Sequence, residues 1–356
     1  MRIPIYLEHP SYKLHGCVQG FTYNLFSNLN FPELANWMIE SENRFKLRGT
    51  NVANYEFKED GISEIGVSQE IHMSEGVPKL IYDLLKILLS DNAIYKGFGT
   101  SKEIIKVPNI FLRDYEIYNI ASGNFIEPEL DEERTQLLGL MYLMVINFLM
   151  AHEAAHISDG HLGYLFSKDN KIKTFDDVEI NLERQCLEVY SDVFATKYCL
   201  QMWINFANQK HLLIPHKLSS PDKVFGVYVF SLYFLIRVLT TSTPVNQSIE
   251  SDFKRKHPVS AFRWRLIIET LYYDLFNGGL INDSFRDYYT KFIDNHLFAF
   301  EQCLRNISVY EDDGFDSEYN RTTKYKNFGY QESLRKEYQS LSPLLQPFRT
   351  TNNFPF

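Results

Sequence analysis

His152-Glu-Ala-Ala-His156 closes a long apolar run, Leu137-Leu-Gly-Leu-Met-Tyr-Leu-Met-Val-Ile-Asn-Phe-Leu-Met-Ala151. The run follows Pro128-Glu-Leu-Asp131. Asp131 ahead of Glu132 and Glu133 has the character of a helix start, a capping side chain followed by carboxylates at the positive end of the dipole. The spacing therefore predicts a helix with His152 and His156 on one face, one turn apart. Two imidazoles so placed can hold one zinc ion, each at about 2.0–2.1 Å. Glu153 is turned by about 100° from His152, which suits a carboxylate that takes the proton from a zinc-bound water. The alternative is a pair of core histidines satisfied by hydrogen bonds. Burying His, Glu and His together in an apolar helix is costly without such partners or a metal.

The 356 residues, 45% hydrophobic and 15% aromatic, can bury a large core in one or two domains. A net charge of −9 without a long basic run argues against nucleic acid as a partner. Cys17, Cys186, Cys199 and Cys303 have no paired spacing and read as reduced thiols of a cytoplasmic protein. Met1-Arg-Ile-Pro-Ile-Tyr-Leu-Glu-His has no signal-peptide core. Two stretches invite a membrane reading. Leu137 to Ala151 runs straight into the charged motif, and Val224 to Leu239 carries Arg237. Both fall short of the roughly 20 uncharged residues of a span, so both are expected as buried core helices without stable membrane insertion.

Along the chain, Ile3 to Leu7 suggests a short strand and Pro32 to Ser41 a short helix. Alternation from Asn51 to Met73 around Glu59-Asp-Gly predicts a hairpin. Pro78 to Ser90 has helical periodicity, ended by a turn at Gly97-Phe-Gly99. Tyr115 to Ile126 reads as strand, turn and strand just before the motif helix, where an extended substrate could add a strand; a purely structural hairpin is the other reading. Gly160 ends the motif helix, and residues 167–177 are loop-like. Helices are expected at about 178–205, 222–240, 259–276 and 283–306, then a polar tail that packs loosely or serves as an arm.

Two histidines leave zinc in need of a third protein ligand. The metzincin pattern places Gly three and His six residues after the second histidine. Those slots hold Asp159 and Leu162, with Gly160 and His161 each one residue off, so His161 is expected at the rim. Glu188 and Asp192, in Leu187-Glu-Val-Tyr-Ser-Asp-Val-Phe-Ala195, are better placed: one turn apart, among mostly apolar neighbours. A solvated acidic face is one explanation of the pair. The apolar setting favours another, in which zinc neutralises Glu188 and Asp192 accepts the free ring N–H of a ligand histidine. Glu179 and Glu183 lack that paired context.

H-E-x-x-H followed by E-x-x-x-D on a later helix resembles the gluzincin metallopeptidases, most closely the CAAX-prenyl-protease and heat-shock membrane-protease group with its small soluble relatives. The matching residues are Glu188, Asp192, Phe194 and Ala195, then His257-Pro258 with Arg263 six residues after the histidine. The stretch from Asn119 to Phe125 loosely matches that group's strand before the active helix. The resemblance spans about residues 115–266. It departs from the group in lacking evident membrane spans and in having Ser191 before the aspartate.

The resemblance implies an α+β fold: a mostly helical zincin-like core with a small sheet beside the active-site helix. It also implies a zinc metalloendopeptidase acting on a protein or peptide. Zn2+ would sit on His152, His156 and Glu188, with Asp192 behind a ligand, Glu153 as general base, and His257 or Arg263 at the oxyanion. The expected domains are a mixed α/β region over 1–110, the catalytic domain over 111–306 and a polar tail over 307–356. Other readings are an intramembrane metalloprotease, a host-protein-specific protease of a toxin or phage-defence system, and an inactive zinc-binding interaction protein.

Overall fold

The computed structural model describes residues 36–40, 47–57, 63–74, 76–102, 128–169, 182–239, 258, 260–277, 297–298, 300–302 and 330–349. The expected strand at 3–7, the expected hairpin at 115–126 and His257 lie outside them.

Helices predominate. The motif helix α2 (Glu132–Ser158) follows α1 (Gly76–Leu88). Asp131 caps α2, its carboxylate accepting from the Arg134 N–H at 2.9 Å, with Glu132 and Glu133 in the first turn. Nearly every residue of α2 from Leu137 onward is buried, as expected of a helix that is apolar on all sides. It lies against α1, α4 (Leu182–Asn208) and α5 (Pro221–Leu239). Alone among the described helices, α2 is long and apolar enough to cross a membrane, yet 94% of its most apolar window is buried within the fold. In α5, buried Arg237 pairs with Glu301 at 2.9 Å, and the Tyr233 hydroxyl donates to the same carboxylate at 2.6 Å. Arg134 at the start of α2 is fully buried and donates to the backbone carbonyls of Leu89, Asp91 and Ile94, tying α2 to the end of α1.

The α+β expectation is met in its helical part. Among the described residues the named strands lie on the N-terminal side, where β2 (Leu47–Phe57) and β3 (Ser63–Ser74) pair antiparallel from Phe57↔Ser63 to Leu47↔Met73, as the alternating pattern requires. The helix expected at Pro32 to Ser41 is corrected: Asn36–Glu40 is strand β1, parallel to β3 with Trp37 opposite Ile71 and Ile39 opposite Met73. A run as short as Trp37-Met-Ile carries no decisive period, and the open edge of β3 settles it. In the order β1-β3-β2, β2 is an edge strand, and it touches α2.

Gly160, at φ +78°, ends α2 as expected, but the chain then re-enters a helix, α3 (His161–Lys168), that the charged stretch after it had masked. The expectation of a loosely packed tail is also corrected. Tyr330–Leu345 forms α7, and residues 346–348 continue as a 3-10 turn. Leu334, Tyr338, Leu341 and Leu345 are buried. Helix α7 packs on α4, where the Cys186 thiol donates to the Leu334 carbonyl at 3.3 Å and Tyr338 stacks on Tyr190 at 3.4 Å. Its polar composition hid one apolar stripe. α6 (Ser260–Asn277) packs on α4 and α5.

The 3-10 turn presses on the loop after the motif. A Cβ on Gly160 would meet the Phe348 backbone at 2.7 Å, whereas one on Gly97, at φ +86°, would meet nothing within 4 Å. Gly97→Ala should therefore cost only the left-handed strain, about 1 kcal/mol. Gly160→Ala adds a clash with backbone and should cost roughly 3 kcal/mol. Denaturant unfolding of the two variants compares them, and equal losses would mean that the C-terminal segment does not close on this turn.

Candidate metal centre

Helices α2 and α4 bring the ionisable residues together. Their packing sets His152 and His156 opposite Glu188, all three buried. The two Nε2 atoms are 3.3 Å apart, and His152 Nε2 is 3.4 Å from Glu188 Oε2. One donor atom from each residue lies within 4.8 Å of the others, so the three can hold a metal ion.

One turn after Glu188, Asp192 occupies the other side of His152, its Oδ1 2.9 Å from Nδ1. The approach has ion-pair distance, but the ring N–H is not aligned on the oxygen for a hydrogen bond. From α6, Arg263 donates to both oxygens of Asp192, from Nε and Nη2, at 2.7 Å each. Arg263, matched by the resemblance for a place at the oxyanion, is thus directed at Asp192. The pairing is planar and two-pronged, the geometry for which guanidinium is suited.

Burial works against every one of these charges. It would raise Asp192, but Arg263 and His152 reverse that and hold the carboxyl below its usual range. It would lower Arg263, but Asp192, then Glu188 and Glu153, keep the guanidinium firmly charged. It would lower His152 too, yet Asp192 and Glu188 push that imidazole up from 6.5 to about 10. Asp192 and Glu188 thus favour the protonated imidazole of His152 against its burial. Glu153 is 8% exposed and His152 6%, against 1% for His156. The more open side of the cluster is therefore the side of the proposed base.

Behind His156 is a second set of polar residues, of which the sequence reading weighed only His161. His156 Nδ1 is 3.0 Å from His161 Nδ1, and His161 Nε2 is 3.0 Å from Asp159 Oδ2. His161 is fully buried, not at a rim, and it meets the ring edge of His156 opposite Nε2. Asp159 also accepts from Arg349 Nε and from the Tyr338 hydroxyl, and with His161 and Arg349 beside it the carboxyl lies low despite its burial. Local sequence held a hint in Asp159 and His161, polar residues flanking a helix break in an apolar region. Nothing local pointed to Arg349, which lies 190 residues from its partner.

Comparison with protein-family models, curated proteins and solved structures returned no match.

The two carboxylates should be separable by substitution. Glu188→Ala removes a donor and its charge, and should weaken zinc binding far more than Asp192→Asn, whose expected loss is about 10- to 100-fold. Asp192→Ala differs again: it strands a buried guanidinium, at a stability cost of about 3–5 kcal/mol. Zinc titration with parallel unfolding curves separates these effects, and a Glu188→Ala protein that binds like wild type removes Glu188 from the site.

The raised His152 pKa fixes the sign of the pH dependence. A ligand imidazole must lose its proton, so metal affinity should climb about tenfold per unit as pH rises toward 10. About one proton should be released per metal bound at pH 7.5, measurable by calorimetry in buffers of different ionisation heat. Without metal, the folded pKa lies above the unfolded one. That stabilisation is fully present below pH 6.5 and disappears as pH rises through 10. Binding without proton release would show His152 to be already neutral.

Proposed function

We propose that the chain is a zinc metalloendopeptidase with a gluzincin-type centre of His152, His156 and Glu188, built on a zincin-like core. The observation that carries the reading is the donor spacing: 3.3 Å between the imidazole nitrogens and 3.4 Å from imidazole to carboxylate. Ligands at about 2.0–2.1 Å around a tetrahedral ion stand about 3.3–3.4 Å apart. Two nitrogens and one carboxylate oxygen are the donor set of catalytic zinc, which keeps a position for water or substrate.

When bound, zinc lowers the pKa of water toward 7 and polarises a carbonyl. The chain's residues supply the rest. Glu153, beside the donors in sequence but not one of them, takes a proton from the attacking water. It returns that proton to the amide nitrogen as the C–N bond breaks. Asp192 orients His152, and Arg263 holds Asp192, so Arg263 acts through Asp192 and not on the substrate. His257 remains the residue that the resemblance offers for the oxyanion. Strand β2 touches the site helix and, among the described residues, pairs along one edge only. In this reading an extended peptide pairs with its other edge. The partner is thus a protein or peptide. The burial of α2 within the fold supports a protein that does not insert this helix in a membrane; the cysteine spacing is the ground for placing it in the cytoplasm.

A carboxylate at Glu153, next to His152 and on the more open side of the cluster, favours an enzyme over a structural metal site. Glu153→Gln should keep fold and metal while lowering peptide hydrolysis by about 10²- to 10⁴-fold. The check is metal content together with mass-spectrometric mapping of new termini in a protein mixture. A variant that cleaves at near wild-type rate refutes the base assignment. A metal-loaded wild type that cleaves nothing favours the inactive binding protein.

A further inference from the structure

Asp159, His161, Tyr338 and Arg349 are buried or half-buried behind the centre. None of them donates to the candidate ion, yet together they join His156 to the far C-terminal segment. If His156 offers Nε2 to the metal, its proton is on Nδ1. His161 Nδ1, 3.0 Å away, must then accept, which places the His161 proton on Nε2, facing Asp159 Oδ2 at 3.0 Å. Each atom in this series has one role consistent with the next: carboxylate, N–H, lone pair, N–H, lone pair. The anion at its end is fixed from residues 330–349. Arg349 Nε donates to Asp159 Oδ1 and the Tyr338 hydroxyl to Oδ2, while Arg349 Nη2 reaches the Tyr338 hydroxyl at 3.1 Å and Ser342 Oγ at 3.2 Å. Phe348, one residue before Arg349, lies against Gly160 and Gly163 on either side of His161.

We propose that the C-terminal segment is a working part of the metal centre: Arg349 and Tyr338 hold Asp159, Asp159 and His161 set the tautomer and ring orientation of His156, and metal affinity therefore depends on Arg349. These are positioning residues, since none touches metal or substrate. The proposal rests on the metal reading of His152, His156 and Glu188. The two histidines are then supported from opposite sides by unrelated parts of the chain, His152 by Asp192 with Arg263 and His156 by His161, Asp159 and Arg349. A hydrogen-bonded acceptor behind a ligand imidazole makes the ring a better donor and fixes which nitrogen is offered.

The test uses the full chain with zinc, and with cobalt as a coloured substitute. Arg349→Gln and Asp159→Asn should each bind zinc about 10- to 100-fold more weakly in competition with a chelator, and each should shift the visible bands of the cobalt form. Arg349→Lys, which keeps charge without the planar fork, should recover part of the affinity. Nitrogen-15 histidine spectra of the wild type should find His161 protonated at Nε2. Leu341→Ala, a cavity in the buried side of the same helix, is the structural control: it should lower the melting temperature while leaving zinc affinity within about threefold, since the chain of polar contacts survives. The proposal is overturned by zinc affinity in Arg349→Gln within that same margin, by equal weakening in Leu341→Ala, or by His161 protonated at Nδ1. A wild type that holds no metal refutes the metal centre itself. One that holds metal but hydrolyses no peptide refutes only the peptidase reading.

Discussion

Asp192 is shared. One oxygen lies 2.9 Å from His152, and both accept from Arg263 at 2.7 Å. Three helices meet at that carboxylate: α2 through the histidine, α4 through the aspartate and α6 through the arginine. A buried carboxylate with a single partner would be a liability. A guanidinium fork on one side and the His152 imidazole at ion-pair distance on the other offset its burial. Glu188 lies one turn back on the same helix face, so the positions of donor and orienting group are set by one stretch of α4. The cluster is buried against the apolar side chains of α2, α4 and α5, and burial strengthens each of its charge pairs.

The parts of this arrangement visible in the sequence are those set by local spacing. Asp131, Glu132 and Glu133 announce the start of α2. The four-residue step from His152 to His156, and the same step from Glu188 to Asp192, put side chains on common faces before any tertiary information is used. The mostly apolar neighbours of Glu188 and Asp192 were the signal that these carboxylates face inward. The β2–β3 hairpin was legible from alternation alone. Trp37 to Ile39 was not, because a run of that length satisfies a helix and a strand equally, and only the free edge of β3 decides.

The rest depended on contacts between distant parts of the chain. Arg263 was singled out by its order after the other motifs, yet its actual hydrogen bonds could not be read from that order. Residues 330–349 looked like an arm because their polar side chains outnumber the apolar ones. Leu334, Tyr338, Leu341 and Leu345 nonetheless follow one helical stripe, which is enough to seat α7 on α4. His161 stands one residue short of the place at which the metzincin spacing would make it a metal ligand. The structure places it on the other side of His156, with its Nδ1 3.0 Å from the Nδ1 of that ring.

The distance in sequence between the metal donors and Arg349 has a consequence during synthesis. Glu188 completes the donor set, and 161 further residues (349 − 188) are added before Arg349 exists. At ribosomal speeds of about 5–20 residues per second, that interval is roughly 8–30 s. Throughout it, the nascent chain has both histidines and the glutamate but lacks the brace behind His156. On the proposed arrangement, the growing polypeptide passes through a period in which the candidate donors are all present while Asp159, behind His156, still lacks Arg349 and Tyr338.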